Sequence, residues 1–238
     1  MKVIAHIEND LKTKFGVPRQ SGLAKALESR IVFEPEYRNA EALRGLEGFS
    51  HIWLLWDFSE SHRDGWSPTV RPPRLGGNRR VGVFASRSPF RPNPIGLSAV
   101  KIKRLELSSP RGPVICVEGA DLMNGTPILD IKPYLPFADS IPEARGGYTD
   151  ETRKQEPLEV VGLEQLSHCF TPTQLQALQQ ILSSDPRPHY QSDPERVYCI
   201  EYAGREILFR VEEKVVKISP DRLAKTKDEW QKSSDLSL

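Results

Sequence analysis

Read for the spacing of apolar and polar positions, the chain opens with short β-type runs. Residues 2–8 (K-V-I-A-H-I-E) and 30–34 (R-I-V-F-E) each predict a strand, the second closed by Pro35. His6 is expected as an ordinary strand side chain. Between these runs, F-G-V-P-R-Q-S-G within residues 14–23 predicts a sharply turning loop. Asn39 is placed to cap a short helix over 40–46, with Gly48 just beyond it. The run F-S-H-I-W-L-L-W-D-F (49–58) predicts a buried strand, in which His51 reads as a satisfied core histidine. Residues 97–107 alternate with period two, residues 113–119 answer them, and an Asn124-Gly125 turn leads into a further strand that ends at Pro133. About six to eight short strands with turns between them predict a barrel or a sandwich.

The polar stretch 144–156 predicts a linker between a domain over 1–143 and a second over 157–238. In the second, Thr171-Pro172-Thr173-Gln174 is a capping box with proline at the first helical position, so a helix follows over 175–182. Residues 197–202 and 206–212 predict a hairpin, and 214–218 a third strand. The fold class is therefore mainly β: an N-terminal β-domain followed by a small α+β domain.

Charge changes this picture at one place. The chain holds 33 Lys and Arg against 32 Asp and Glu, a net of +1, so bulk charge points to no polyanion. Residues 1–150 nevertheless carry 21 basic against 17 acidic side chains, and residues 151–238 carry 12 against 15. Within the basic half, no acid occurs between Gly65 and Leu105, while Arg71, Arg74, Arg79, Arg80, Arg87 and Arg91 stand among six prolines. Proline fixes φ, so these loops hold their arginines in place at little ordering cost. Guanidinium forks so held suit phosphate oxygens. The apolar run 80–85 between the two loops reads as a buried strand. The plain alternative is a solvated charged face.

Three dispersed cysteines form no C-x-x-C pair, which makes a disulfide framework or a zinc site unexpected and a cytoplasmic setting the default. No window approaches a transmembrane span. The phosphate-loop, Rossmann-glycine, H-E-x-x-H and G-x-S-x-G patterns are missing, so nucleotide hydrolysis, a doubly wound cofactor sheet and zinc hydrolysis lose support. Pattern and composition stop at a β-rich domain with a rigid arginine surface.

Five stretches carry a resemblance. They are F-G-V-P-R-Q-S-G (15–22), R-G-L-E-G-F-S-H-I-W (44–53), P-T-V-R-P-P-R-L-G-G-N (68–78), S-R-S-P-F-R-P-N-P-I-G-L-S (86–98) and N-G-T-P-I-L-D-I-K-P-Y-L-P (124–136). In order and spacing they resemble the TsaA-like, or TrmO, family. The resemblance implies a β-barrel, homodimeric tRNA methyltransferase that uses S-adenosylmethionine. The expected product carries a methyl group on N6 of N6-threonylcarbamoyladenosine at position 37 of threonine tRNAs. It also implies cofactor contacts from Pro18, Arg19 and Gln20, from Ser59 and Glu60, from Arg87 and Leu97, and from Gly125, Thr126, Pro127 and Ile128. Ser59-Glu60 stand where relatives are expected to carry His-Gln. A urea-like nitrogen is a poor nucleophile until it loses its proton. Asp130 and Tyr134 beside the cofactor turn are the candidate assistants, with Lys132 as electrostatic helper; no metal is needed. Arg71, Arg74, Arg79, Arg80 and Arg91 are the expected phosphate contacts, and Phe90 or Tyr134 could stack on a flipped purine. Two alternatives stay open: a non-catalytic tRNA-binding barrel, and a methyltransferase of the same kind acting on another substrate.

Overall fold

The computed structural model describes residues 1–72, 75, 78–152, 156–187 and 193–219. Arg74, residues 188–192 and residues 220–238 lie outside the described residues.

Six strands close an antiparallel barrel: β1 (Ala5–Glu8), β2 (Glu28–Phe33), β3 (His51–Asp57), β6 (Ile95–Ser109), β7 (Gly112–Glu118) and β8 (Pro127–Pro133), in the order β1-β2-β7-β6-β3-β8. Pairing of Ala5 with Ile128 closes the ring. β4 (Thr69–Val70) and β5 (Val81–Gly82) form a separate two-stranded ribbon. Alternation directs Ile7, Ile31, Ile52, Leu54, Ile115 and Ile128 into the barrel, all fully buried. Each stabilises the fold by about 1.5–3 kcal/mol relative to exposure. β7 is buried on both faces because Val114 and Cys116 pack with Val32 on the outer side.

The second unit is a sheet of order β10-β11-β12-β9, built from β9 (Glu159–Val161), β10 (Tyr198–Tyr202), β11 (Arg205–Glu212) and β12 (Val215–Ile218). β9, which pairs in parallel with β12, was not anticipated. It is only three residues long and alternates weakly. The helix Pro172–Ser183 carries the expected capping box, with Thr171 Oγ1 accepting from the Gln174 amide and Gln174 Oε1 from the Thr171 amide. It packs Leu178, Ile181 and Leu182 against the sheet core.

The break between 143 and 157 separates the two sheets but not the two cores. Leu11, Ala24 and Leu27, with Phe15 and Val17, pack among Tyr198, Ile200 and Phe209 of the second unit. The Phe15 ring stacks on Tyr198 and on Phe209, each at 6.3 Å between centroids. The Ala203 amide donates to the Asp10 carbonyl (2.9 Å), Gln174 Nε2 to Asp10 Oδ2 (3.0 Å), and the Ala26 amide to Gln180 Oε1 (2.8 Å). The first loop is thus a component of the C-terminal core.

Several local expectations need correction. Residues 80–85 are not a buried strand: the ladder stops after two pairs, and residues 83–85 form a 3-10 turn with Phe84 73 % exposed. Its partner segment lies between Pro68 and Pro72, which have no N–H to extend the pairing. The helix over 40–46 is two 3-10 turns, interrupted at Gly45 by a left-handed φ of 87°. Asn39 does cap the first, accepting from the Glu41 amide at 3.0 Å. β3 is buried on one face only, so His51 lies on the outer face, bonded to Ser50 Oγ at 2.9 Å.

Candidate functional site

A cavity of about 690 Å³ opens where the end of β3, the start of β6 and two loops meet. Its size suits a small-molecule ligand. Val17, Pro18, Arg19 and Gln20 form one wall, the signature loop from Ser86 to Asn93 another, and Trp56, Phe58 and Leu97 the apolar sides.

Each wall has a local cause. The first loop is held from outside the barrel, by the Phe15 packing and by Arg19 Nη2, which donates to the carbonyls of Asp185 (3.0 Å) and Arg187. The signature loop is braced within itself: Ser86 Oγ donates to the Val83 carbonyl (2.8 Å), and Arg91 Nη1 donates to the Ser86 carbonyl (3.0 Å). Arg87 Nη1 crosses between the loops to Gln20 Oε1. Trp56 continues the inward alternation of Ile52 and Leu54 to the end of β3, where it lines the cavity; next to it a register shift leaves Leu129 of β8 without a partner residue on β3. The Trp56 indole lies across Gly96, and its Nε1 donates to Ser98 Oγ at 3.0 Å.

Asp121 completes the floor. Its Oδ1 is buried without a hydrogen-bond partner. Burial pushes its carboxyl above the ordinary aspartate value; the Ser98 hydroxyl, the backbone amides of Asp121 and Ser21 and the positive charge of Arg87 act in the opposite direction. Ser98 itself is only 2 % exposed.

The cavity brings together Pro18, Arg19, Gln20, Arg87 and Leu97, from sequence positions up to eighty apart. It does not collect the remaining expected cofactor residues. Ser59 and Glu60 are exposed and follow Phe58, the residue that does line it. Gly125, Thr126 and Pro127 serve barrel closure: the Gly125 amide donates to the Ile7 carbonyl (2.8 Å), Thr126 Oγ1 to the Met123 carbonyl (2.7 Å), and Pro127 pairs with His6. Ile128 is fully buried in the barrel core, where an adenine face cannot meet it.

Asp130, Lys132 and Tyr134 also lie outside the cavity lining. Asp130 and Lys132 form an ion pair at 3.0 Å, and the Tyr134 ring packs on Trp53 with 5.5 Å between centroids. Arg71, Arg79 and Arg80 are exposed beside the two-stranded ribbon, with Arg80 Nη1 donating to Thr69 Oγ1. Arg91 lines the cavity, and Phe90 has Arg63 over its ring at 3.6 Å. Trp56, Phe58, Ser98 and Asp121 were missed in the sequence. The available signal for Asp121 was a single acid inside the apolar run G-A-D-L-M. Among the described residues, no group of three or more His, Cys, Asp and Glu side chains could hold a metal ion.

Family models match the chain in two parts: residues 6–140 to the tRNA-methyltransferase O N-terminal domain, and residues 157–220 to the TrmO C-terminal domain. The chain belongs to the tRNA-methyltransferase O family. A family relative from Escherichia coli (strain K12), named tRNA (adenine(37)-N6)-methyltransferase, is 42 % identical over 216 residues, which is 87 % of this chain and 91 % of the relative. A Pseudomonas aeruginosa protein whose name describes an S-adenosylmethionine-dependent methyltransferase is 39 % identical over 204 residues (83 % and 86 %). The family fold recurs in a crystal structure of TrmO from Pseudomonas aeruginosa: TM-score 0.70, 29 % identity, 92 % of this chain and 97 % of that one.

Proposed function

We propose that the chain is an S-adenosylmethionine-dependent tRNA methyltransferase acting on N6 of adenine 37, and that the cavity described above holds its cofactor. Family membership supports the activity. One observation carries the location: the signature loop and the 17–20 loop, far apart in sequence, converge on one cavity of suitable size. The residues present fit the group. Trp56, Phe58 and Leu97 offer apolar faces for an adenine, and loop backbone groups can read its edge. When bound, the cofactor supplies the methyl group from its sulfonium. The chain's part is to exclude water and hold the donor in line, which is worth several kcal/mol.

The substrate follows the family: adenosine 37 carrying an N6-threonylcarbamoyl group, in threonine tRNAs. Asp130, Tyr134 and Lys132 remain the proposed assistants for proton removal, reaching the substrate from outside the cofactor cavity. A homodimer in a cytoplasmic setting completes the reading. Around the cavity mouth Phe84 (73 %), Trp66 (55 %) and Leu97 (53 %) are exposed, an apolar surface that suits a second copy. No helix among the described residues is long and apolar enough to cross a membrane.

The direct test incubates the protein and S-adenosylmethionine with threonine tRNA that has or lacks the threonylcarbamoyl group, read by nucleoside mass spectrometry. The expected result is a gain of one CH2 on the modified adenosine only. Cofactor binding without any gain would move the reaction to another substrate.

For the nucleic acid, Arg71 and Arg79 are exposed and form no ion pair among the described residues. The double substitution of both by alanine is expected to weaken tRNA binding and reduce the slope of log K against log salt by about two, one per phosphate contact. An unchanged slope in fluorescence-anisotropy titrations would remove these arginines from the tRNA surface.

A further inference from the structure

Beyond the walls already described, the cavity contains one feature that an empty apolar pocket does not need. Asp121 sits at its floor with one carboxylate oxygen buried and unpaired. The local groups that favour its charged form are the Ser98 hydroxyl, whose oxygen accepts from Trp56 Nε1, and the backbone amides of Asp121 and Ser21, and they leave Oδ1 without a partner. A buried carboxylate oxygen without a donor is costly, and such sites mark places where a ligand completes the network.

The positive partner within electrostatic reach is Arg87. Among the cavity arginines, Arg19 and Arg91 donate to backbone carbonyls that brace the two loops. Arg87 instead is exposed and donates to Gln20 Oε1, a neutral side chain that can release it. A carboxylate and a guanidinium on the lining of one cavity are complementary to a zwitterion. The cofactor's methionine end is one, with an α-ammonium group and an α-carboxylate on the same carbon.

We propose that Asp121 and Arg87 together receive the amino-acid end of the cofactor, Asp121 taking the α-ammonium group and Arg87 the α-carboxylate. The assignment rests on reading this cavity as the cofactor site. It explains why an acid lies within an otherwise apolar run, and why Trp56 and Ser98 are spent on orienting it. A bond from an ammonium to a buried carboxylate is worth about tenfold or more in affinity.

The test measures binding by calorimetry, with S-adenosylmethionine, S-adenosylhomocysteine and 5′-methylthioadenosine as three probes. The last keeps the adenine, ribose and sulfur but lacks the amino-acid end. Asp121→Asn is expected to weaken the first two by about tenfold or more and to leave methylthioadenosine within about twofold. Arg87→Gln is expected to give the same pattern. The melting temperature of the ligand-free Asp121→Asn protein is expected to hold, since the carboxylate oxygen it replaces has no partner there. Equal weakening of all three probes, or a fall in the ligand-free melting temperature, would make Asp121 a ribose contact or a structural group and overturn the proposal. Asn93→Trp, at an exposed position of the cavity wall, separates the two levels of the argument. If it blocks all three probes while Asp121→Asn changes none, the zwitterion assignment fails and the cavity stands. If neither changes cofactor binding, the cavity reading fails with it.

Discussion

Replacing Gly96 with alanine is expected to reduce cofactor affinity by about tenfold or more, although the change adds one methyl group. A Cβ at this position would lie 2.1 Å from Cε2 of Trp56 and 2.4 Å from Cζ2. The ring cannot step aside freely. It is 7 % exposed, tied through Nε1 to Ser98, and packed against Phe58 at 4.2 Å between centroids. Relief must come from moving either the indole, which is a cavity side, or the start of β6, which carries Leu97 and Ser98. Interiors of this density resist both, and overpacking of this kind typically costs about 1–3 kcal/mol. The control is Gly96→Ala combined with Trp56→Leu, which removes the clashing ring. Calorimetry should find the double variant better than the sum of the two single losses. Additive losses would mean that the two positions do not compete for the same space.

The second large effect is expected at Gly16, which is not itself part of the cavity lining. Its φ is +98°, a left-handed conformation that costs an L-residue about 1–2 kcal/mol, and an added Cβ would lie 2.3 Å from Ile200 Cδ1. Gly16→Ala is therefore expected to lower the melting temperature by about 5 °C or more. It should also weaken S-adenosylmethionine binding, because Val17, Pro18, Arg19 and Gln20 follow directly and form a cavity wall. Ile200→Val in the same chain removes Cδ1 but keeps a γ-carbon, Cγ1 lying at 2.7 Å, and leaves the backbone cost, so it should restore only part of both quantities. Loss of stability with unchanged cofactor affinity would show that the wall does not depend on its seat in the C-terminal core. In the coupled case, the C-terminal unit positions the cofactor loop, a role that does not require it to carry positive charge. Its acidic balance is then no obstacle.

Local signals in the sequence proved durable where they needed only their neighbours. Short apolar runs bounded by turn signals, and period-two alternation over 97–107, located the barrel strands; Thr171 and Gln174 located the helix start, and the two runs 197–202 and 206–212 the hairpin of β10 and β11. The same locality explains the failures. The run 80–85 is apolar enough for a strand, yet a strand needs a partner, and prolines on the facing segment deny it one. His51 sits inside an apolar run, but burial on a barrel depends on which face of the strand a residue occupies.

The candidate site divides along the same line. Contiguous motifs were sufficient to name Pro18, Arg19, Gln20, Arg87 and Leu97, because each belongs to an unbroken stretch whose residue order is itself the signal. By itself, then, the sequence determined the β-rich class, the family and the two loops that carry the cavity. What only the tertiary structure decided are contacts between positions far apart in the chain. Phe15 belongs to a core built almost two hundred residues later, Gly96 is small because the Trp56 ring crosses it, and Ile128 fills the barrel instead of meeting a ligand. Asp121 became visible as a site residue only once folding placed it at the cavity with one oxygen buried and without a partner. Burial and hydrogen-bond satisfaction are properties of the packed whole, and no window of sequence contains them.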